Sequence, residues 1–219
     1  MTTVTAQQGK VVLAFDIDFT MTTGDQHQLV FGRKYPGFDI NTHYDIYPIE
    51  EALIKHGFAH ETFSRFDIYK EFTNELFGVS PLEPWFLHAY NHIKDLPNVE
   101  IHFITARNTG YTEATKVLFD YYGIPFDNVH HIGGYHKEQL VDELGIDIIF
   151  EDNLETVNRV LEVCPNCHTF LVERMYNFTD ITHPRFNRID VRGNHESVLQ
   201  RILDIMKDVT DIQEQNVHL

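Results

Sequence analysis

The amino-acid sequence predicts an α/β fold in which helices flank both faces of a parallel β-sheet. Five consecutive apolar residues at positions 11–15 indicate a strand that is covered on both sides. Further apolar runs alternate with helical patterns in the second half of the chain, and this alternation is typical of parallel strands joined by crossover helices. The predicted strands are 11–15, 101–104, 129–132, 146–150 and 169–172, and the predicted helices between the later strands are 112–122, 137–144 and 153–163.

The stretch between the first two predicted strands indicates an insertion, because it is much longer than one crossover connection needs. We therefore expect residues 1–20 and 98–219 to form a core domain. Residues 21–97 would be a mainly helical cap over the carboxyl end of the first strand. Apolar side chains recur with helical spacing around 63–76 and 82–93, and we expect most of them to form the core of the cap.

The end of the chain predicts one more helix. Residues 195–207 place Val198, Ile202, Ile205 and Met206 on one face, so this segment should pack as a closing helix. We expect residues 208–219 to fray.

The composition favours a packed globular protein and leaves room for a small anion bound at a local metal site. Its 219 residues are 42% hydrophobic, and 33 acidic against 17 basic side chains give a net charge of −16. This charge disfavours extended contact with a nucleic-acid backbone. No run reaches the roughly 18 apolar residues of a membrane span, and the polar first eight residues lack a signal-peptide pattern. We therefore expect a cytoplasmic protein without a membrane partner, whose oligomeric state the sequence leaves open.

The first predicted strand leads directly into two carboxylates. Asp16 and Asp18 follow it with one residue between them, so their side chains can point the same way. Ligands of parallel α/β sheets lie beyond the carboxyl ends of the strands, which places both acids where a site is expected. Aspartates also form turns and cap helices at such positions, and for this pair alone that alternative stays open. In a shared site their negative charge calls for a cation.

A second acidic pair follows the fourth predicted strand. Glu151 and Asp152 come directly after residues 146–150, which repeats the arrangement at the first strand. Two acidic clusters that meet at one sheet edge repel each other unless a metal ion joins them. We expect Mg²⁺, because it takes oxygen ligands and keeps waters that a substrate phosphate can replace. A turn or helix-capping role for Asp152 or Asn153 is the alternative.

Three further positions offer contacts to an anion. Thr105 ends the second predicted strand, and its hydroxyl and the backbone amides after it, at Ala106 and Arg107, can hydrogen-bond a phosphate oxygen. The Arg107 side chain adds a cation. Lys137 opens a predicted helix near the same edge, where a metal-bound phosphate among carboxylates needs another fixed cation. Taken singly, each of these residues also fits an ordinary structural or exposed position.

In chain order, these motifs resemble the haloacid dehalogenase (HAD) superfamily of phosphotransferases. The set consists of Asp-x-Asp-x-Thr at 16–20, then Thr105, Lys137 and the late acidic pair. The resemblance covers residues 10–20 and 98–175, and it implies a Rossmann-like, HAD-like core.

The resemblance also implies a role for each residue. Asp16 would be the nucleophile that forms an aspartyl-phosphate, and Asp18 the acid that protonates the leaving oxygen and later activates water. Thr105 and Lys137 would hold the phosphoryl group. The implied metal ligands are Asp16, the backbone carbonyl of Asp18, Asp152 and, through water, Glu151. The implied substrate contacts are Phe19, Thr20, Ala106 and Arg107.

Four stretches look like the 5′(3′)-deoxyribonucleotidase-like branch of the superfamily: Phe-Asp-Ile-Asp, Ile-Thr-Ala-Arg, Ile-Phe-Glu-Asp-Asn and Leu-Val-Glu-Arg-Met-Tyr-Asn. Phe19 departs from the pattern, since relatives usually have Gly there. The likeness implies a Mg²⁺-dependent phosphatase for a small phosphorylated metabolite, with a nucleoside monophosphate as the expected substrate. The alternatives are another small phosphoester, a polynucleotide 3′ end, or a phospholigand-binding module without turnover.

Two other patterns are less specific. Cys164 and Cys167 form a Cys-x-x-Cys pair in a predicted loop, which favours an incidental or structural role over a disulfide or a metal site. His88 and His92 have a spacing that can bind zinc, but no third ligand follows from the pattern. We assign no catalytic histidine.

Overall fold

A computed structural model describes residues 9–60, 62–134 and 136–217, and for residues 212–217 it describes only the backbone. Six parallel strands form one sheet in the order β3-β2-β1-β4-β5-β6, with helices on both faces. This arrangement confirms the predicted α/β fold class. The strands are β1 (Val11–Phe15), β2 (Val99–Thr105), β3 (Val129–His131), β4 (Ile148–Glu151), β5 (His168–Val172) and β6 (Phe186–Ile189).

The sheet register aligns the carboxyl ends of its central strands. Phe15 of β1 pairs with Phe103 of β2 and with Phe150 of β4. The Asp16 amide then donates a hydrogen bond of 2.9 Å to the Phe150 carbonyl. The residue after β1 therefore lies beside Glu151, the last residue of β4, and the two acidic motifs meet at one edge.

Strand β6 is absent from the sequence prediction. It is a short edge strand, Phe-Asn-Arg-Ile, in which only Ile189 is fully buried. An edge strand of mixed polarity has neither the continuous apolar run of a central strand nor a strict alternation. Its sequence therefore carries little signal of a strand.

The described residues outside the sheet form ten α-helices and the loops that connect them. Those between β1 and β2 are α1 (Asp25–Lys34), α2 (Ile40–His43), α3 (Ile49–Lys55), α4 (Arg65–Glu71), α5 (Thr73–Phe77) and α6 (Pro84–Ile93). Those that follow are α7 (Thr112–Tyr122), α8 (Lys137–Glu143), α9 (Leu154–Val163) and α10 (His195–Val217). The single helical pattern around 63–76 is divided into α4 and α5 because Phe72 leaves helical geometry.

The apolar residues pack in separate clusters. One cluster joins one face of the sheet to α6, α7 and α10, and another covers the opposite face with α8 and α9. A further cluster lies within the helices between β1 and β2, mainly α1 to α5. The expectation that the row at 82–93 forms the core of the cap is wrong, because Trp85 and Phe86 of α6 pack with the sheet. The division into a core and a cap at residues 21–97 stays a prediction.

The closing helix is longer than the sequence pattern predicts. The expectation that the chain frays from residue 208 is wrong, because α10 continues to Val217. Val209 is buried with Ile205 and Met206 in the apolar cluster that covers one face of the sheet. The packed face of α10 therefore continues past residue 208. Residues 218–219 lie outside the described part of the chain.

Among the described residues, no helix combines the length and the hydrophobicity that crossing a membrane requires.

Candidate active site

The turn after β1 presents Asp16 and then reverses sharply at Phe19. Residues 17–21 form one helical turn, within which Phe19 adopts φ of 58°. That backbone region favours glycine, so the phenylalanine must be held there by its surroundings. Arg174 donates a hydrogen bond of 2.8 Å from Nε to the Phe19 carbonyl, and the ring packs against His27 at a centroid distance of 4.6 Å. These contacts explain how a side chain is accommodated in a backbone conformation that favours glycine.

Asp16 and Lys137 form a buried ion pair. Lys137 Nζ lies 2.6 Å from Asp16 Oδ1 and 2.8 Å from Glu151 Oε2. Lys137 is the first residue of α8, and the left-handed conformation of His136 turns the chain so that the helix begins at the sheet edge. The structure thus brings together residues 121 positions apart, as the sequence predicts for a shared anion site.

Asp152 is held by three neighbours. Thr20 Oγ1 donates to Asp152 Oδ1 at 3.2 Å, and the Tyr176 hydroxyl donates to Oδ2. Asn177 Nδ2 donates to the Asp152 backbone carbonyl at 2.6 Å. Sequence reasoning assigned no role to Tyr176 or Asn177. The signal that could have found them is their position shortly after β5, at the same sheet edge as the acids.

The three acids at this edge form a group that fits a divalent cation. Oxygen atoms of Asp16, Glu151 and Asp152 lie within 4.8 Å of one another, and all three side chains are buried. Burial raises the pKa of each carboxyl, in Asp16 to about 7, although the Lys137 ammonium opposes the shift in all three. When all three carboxyls are ionised, they and one lysine leave two unbalanced negative charges, and this excess disfavours ionisation without a cation. A hard dication with oxygen ligands, such as Mg²⁺, would balance them.

Asp18 lies outside this group and has its own cation. Arg107 holds both carboxylate oxygens, with Nε 2.8 Å from Oδ2 and a terminal nitrogen 2.7 Å from Oδ1. Burial alone would raise the pKa of Asp18, but the Arg107 guanidinium outweighs it and lowers the pKa below its usual value. Arg107 is itself fixed by Thr115 and by the ring and carbonyl of Phe77 at the end of α5. The pair therefore links the sheet edge to the helices above it.

Some of the residues predicted to contact the substrate line a cavity, and others are buried away from it. Phe19, Ala106 and Arg107 line a cavity of about 270 Å³ above the acids, together with Asp16 and Asp18. Thr105 is buried, and its Oγ1 accepts a hydrogen bond of 3.2 Å from the Arg107 amide. Thr20 is buried as well, with its hydroxyl directed to Asp152. Substrate contacts by these residues stay predictions.

One part of the cavity wall comes from the segment between β1 and β2. It is largely aromatic, and sequence reasoning identified none of these side chains as part of a site. The cavity-lining side chains from this region include His27, Tyr44, Tyr47, Phe66, Tyr69 and Phe77. Their helical spacing is also that of an ordinary packed helix, which is why the sequence alone could not separate wall from core.

In the described part of the chain, the Cys-x-x-Cys pair and the His88–His92 pair belong to no group of three potential metal ligands. Cys164 and Cys167 are free and buried, and burial raises the pKa of the Cys164 thiol to about 11. Within the described residues, the acidic trio is the one group of three or more potential metal ligands. His88 instead pairs with Glu196 at 2.9 Å, and His92 bonds to the His88 carbonyl.

Comparison with known proteins supports the fold that the motifs predict. No protein-family model matches the chain. The structure is similar to a haloacid dehalogenase-like hydrolase of Burkholderia xenovorans LB400, with a TM-score of 0.59 and 12% identity over 90% of this chain and 99% of that one. It is also similar to a haloacid dehalogenase-like family hydrolase of Xanthomonas campestris, with a TM-score of 0.53 and 14% identity over 91% and 99% of the two chains. The chain has the haloacid dehalogenase-like fold, and the resemblance predicted from its motifs is confirmed at that level.

One curated protein shares a short stretch of sequence. The match is to "Putative nucleotidase YqfW" of Bacillus subtilis, with 41% identity over 51 residues. It spans 23% of this chain and 26% of that protein. The likeness is therefore local.

Proposed function

We propose that this protein is a Mg²⁺-dependent phosphomonoester hydrolase that forms an aspartyl-phosphate on Asp16. The observation that carries the proposal is the meeting of Asp16 with Lys137, Glu151 and Asp152 at the carboxyl edge of the sheet. Asp16, Glu151 and Asp152 would hold the metal, together with the backbone carbonyl of Asp18. A bound Mg²⁺ would supply positive charge to the phosphoryl oxygens.

The side chains support a reaction in two steps. In the first, an Asp16 oxygen bonds to phosphorus while the bond to the alcohol oxygen breaks, and that oxygen takes a proton from Asp18. In the second, a water oxygen bonds to phosphorus while the bond between phosphorus and the Asp16 oxygen breaks, and the water gives a proton to Asp18. This step releases phosphate and restores the Asp16 carboxylate. Lys137 neutralises charge on the phosphoryl group, and Thr105 positions the loop that follows it. Phe19, Thr20, Ala106 and Arg107 would complete the substrate site.

Asp18 must change its protonation state between these steps. Beside Arg107 its pKa is lowered, so it is ionised and ready for the second step. The first step needs a proton on this group. We propose that the leaving oxygen displaces Arg107 contacts when substrate binds, because burial without that cation raises the pKa of a carboxyl.

The substrate we propose is a nucleoside monophosphate, cleaved by a 5′-nucleotidase reaction. The local match to the protein named "Putative nucleotidase YqfW" and the aromatic side chains of the cavity wall support this choice. The helices between β1 and β2 would act as a cap that excludes water. The cytoplasmic location expected from the sequence stays a prediction.

Phosphate release from a panel of phosphoesters tests the proposal. The panel holds deoxyribonucleoside and ribonucleoside 5′-monophosphates, sugar phosphates, phenyl phosphate and 3′-phosphorylated oligonucleotides, each with Mg²⁺ and with a chelator. We expect release from nucleotides that stops with the chelator. Preference for a sugar phosphate or for a 3′ end would identify one of the alternative phosphatases. The absence of release from every substrate, together with tight binding of one of them, would identify a binding module instead.

A further inference from the structure

His27 is a buried polar side chain that the proposed reaction does not use. It lies in the first turn of α1, has 1% of its surface exposed, and lines the cavity above Asp16 and Asp18. Aromatic rings surround it, with centroids 4.6 Å away for Phe19 and 6.2 Å for Phe31. Tyr69 and Phe77 approach edge-on at 6.1 and 6.3 Å.

The imidazole has hydrogen-bonding capacity that the protein leaves unused. Within the described part of the chain, the buried Nδ1 atom of His27 has no hydrogen-bond partner. Buried polar atoms are nearly always paired, because an unpaired one loses its interaction with water without compensation. Phenylalanine would fill the same aromatic niche without that loss. The choice of histidine is therefore unexplained by packing alone.

The charge around His27 indicates what kind of group could pair with it. Burial lowers the pKa of the imidazole to about 4, so the ring is neutral near pH 7 and offers one donor and one acceptor. Asp18 and Arg107, the charged groups that influence it, already neutralise each other. Lys137 is committed to Asp16 and Glu151. Arg65, which lines the same cavity, is paired with Glu50 at 2.7 Å. Among the described residues, these charged groups near His27 therefore each have a partner of opposite charge, which disfavours an ionised ligand group at this end of the cavity.

We propose that His27 determines specificity by hydrogen-bonding an uncharged polar group of the leaving alcohol. The alcohol part would lie among the aromatic side chains while its phosphate lies at Asp16. Phosphomonoesters whose alcohol presents a hydroxyl, an amide or a ring nitrogen are then preferred over those whose alcohol is apolar or carries a second charge. This inference rests on the proposed phosphatase function, and it names the residue that selects the leaving group.

Substitution at His27 separates recognition from packing. His27→Phe keeps a ring in the niche, and His27→Asn places an amide near the position of Nδ1. His168→Phe is the matched control, because His168 also has an unpartnered buried Nδ1 but lies at the start of β5, outside the cavity lining. Two substrates are compared for each protein: a deoxyribonucleoside 5′-monophosphate, and phenyl phosphate, whose alcohol part has no polar group.

We expect His27→Phe to lower kcat/KM for the nucleotide about tenfold, chiefly through KM, because a neutral hydrogen bond is lost. Its kcat/KM for phenyl phosphate should stay within about twofold of the wild type. His27→Asn should recover part of the nucleotide activity, and His168→Phe should change neither substrate. Equal losses on both substrates, or no loss on the nucleotide, would overturn the proposal.

A second measurement keeps the test independent of folding and of turnover. The ¹⁵N resonances of the His27 ring are followed in Asp16→Asn protein, which holds substrate without cleaving it. The nucleotide should shift them and phenyl phosphate should not, whereas the same response to both contradicts the role of His27. If wild-type protein releases phosphate from no ester, the proposed function is wrong, and the resonances still decide whether His27 recognises the nucleotide.

Discussion

Asp16 and Asp18 are two residues apart in one turn, but their surroundings are opposite. Asp16 is buried beside two other carboxylates, and burial raises its pKa to about 7 even though Lys137 opposes the shift. Asp18 is paired through both oxygens with Arg107, which overcomes burial and lowers its pKa. Proximity in the sequence therefore does not give these two acids the same pKa. The direction of each pKa shift depends on the nearest fixed cation and on how many acids share that cation.

The different surroundings of Asp16 and Asp18 suit them to different roles in the proposed reaction. Asp16 shares one lysine with Glu151, so its side of the site keeps negative charge that a dication can balance. Asp18 has an arginine to itself, so before substrate binds it is ionised without a metal. A nucleophile held against a metal and an acid or base held apart from it are what the proposed reaction requires.

The largest expected effect tests that division directly. We predict that Asp16→Asn lowers kcat at least about 10⁴-fold, because the covalent route is lost. Asp18→Asn should lower kcat about 10²- to 10³-fold, the usual contribution of a positioned acid or base. Steady-state and single-turnover phosphate release measure both. Equal activity in the two variants would remove the distinction between the two aspartates.

The second prediction removes the cation from the Asp16 side. Lys137→Met leaves buried carboxylates without a partner, and we expect the free energy of unfolding without metal to fall by about 3–5 kcal/mol at pH 7.5. The loss should shrink as the pH falls, because the pKa values of Asp16 and Glu151 rise without the ammonium and the carboxyls take up protons. Urea unfolding at several pH values measures this effect.

Lys116→Met is the control for that experiment, since Lys116 is an exposed lysine on α7. Added Mg²⁺ should restore more stability to Lys137→Met than to the wild type, because it binds the folded state alone. A variant as stable as the control at every pH would show that the Lys137 pair contributes little.

The two aspartates also show which features of the site can be predicted from the sequence and which cannot. The strands of the sheet centre follow from continuous apolar runs, and the parallel arrangement brings their terminal acids together. Lys137 and Asp152 are accordingly found at the predicted edge. The pairing of Arg107 with Asp18 could not be predicted, because it depends on how α5 places Phe77 against the guanidinium.

The packing partners of the helices between β1 and β2 could not be predicted either, because they too depend on contacts between distant parts of the chain. A row of apolar side chains with helical spacing states that one face is buried, but not against what. Trp85 and Phe86 pack on the sheet, whereas Tyr69 and Phe77 face the cavity. His27 and Tyr176 are functional candidates only because of contacts between distant parts of the chain.

A smaller effect is expected for the support of Asp152. Tyr176→Phe removes one hydrogen bond to that carboxylate and keeps the ring. We predict that the concentration of Mg²⁺ needed for half-maximal activity rises about tenfold, with kcat at saturating Mg²⁺ changed little, since partners of metal ligands mainly tune affinity. Tyr121→Phe is the control, because Tyr121 is 76% exposed. An unchanged Mg²⁺ requirement would show that Asp152 is positioned adequately without the hydroxyl.

A small effect at pH 7 is expected for Arg107→Met, which removes the cation of Asp18 but not the carboxylate. At pH 7 we expect kcat/KM to change only a few-fold, but the pH profile should move. Burial of Asp18 is then unopposed, so its pKa rises, and whichever limb of the profile Asp18 controls shifts to higher pH. Arg33→Met, at an exposed ion pair with Glu75, should leave the profile in place. A shift to lower pH, or none, would mean that Arg107 does not set the charge of Asp18 during turnover, and the contrast with Asp16 would then belong to the resting structure alone.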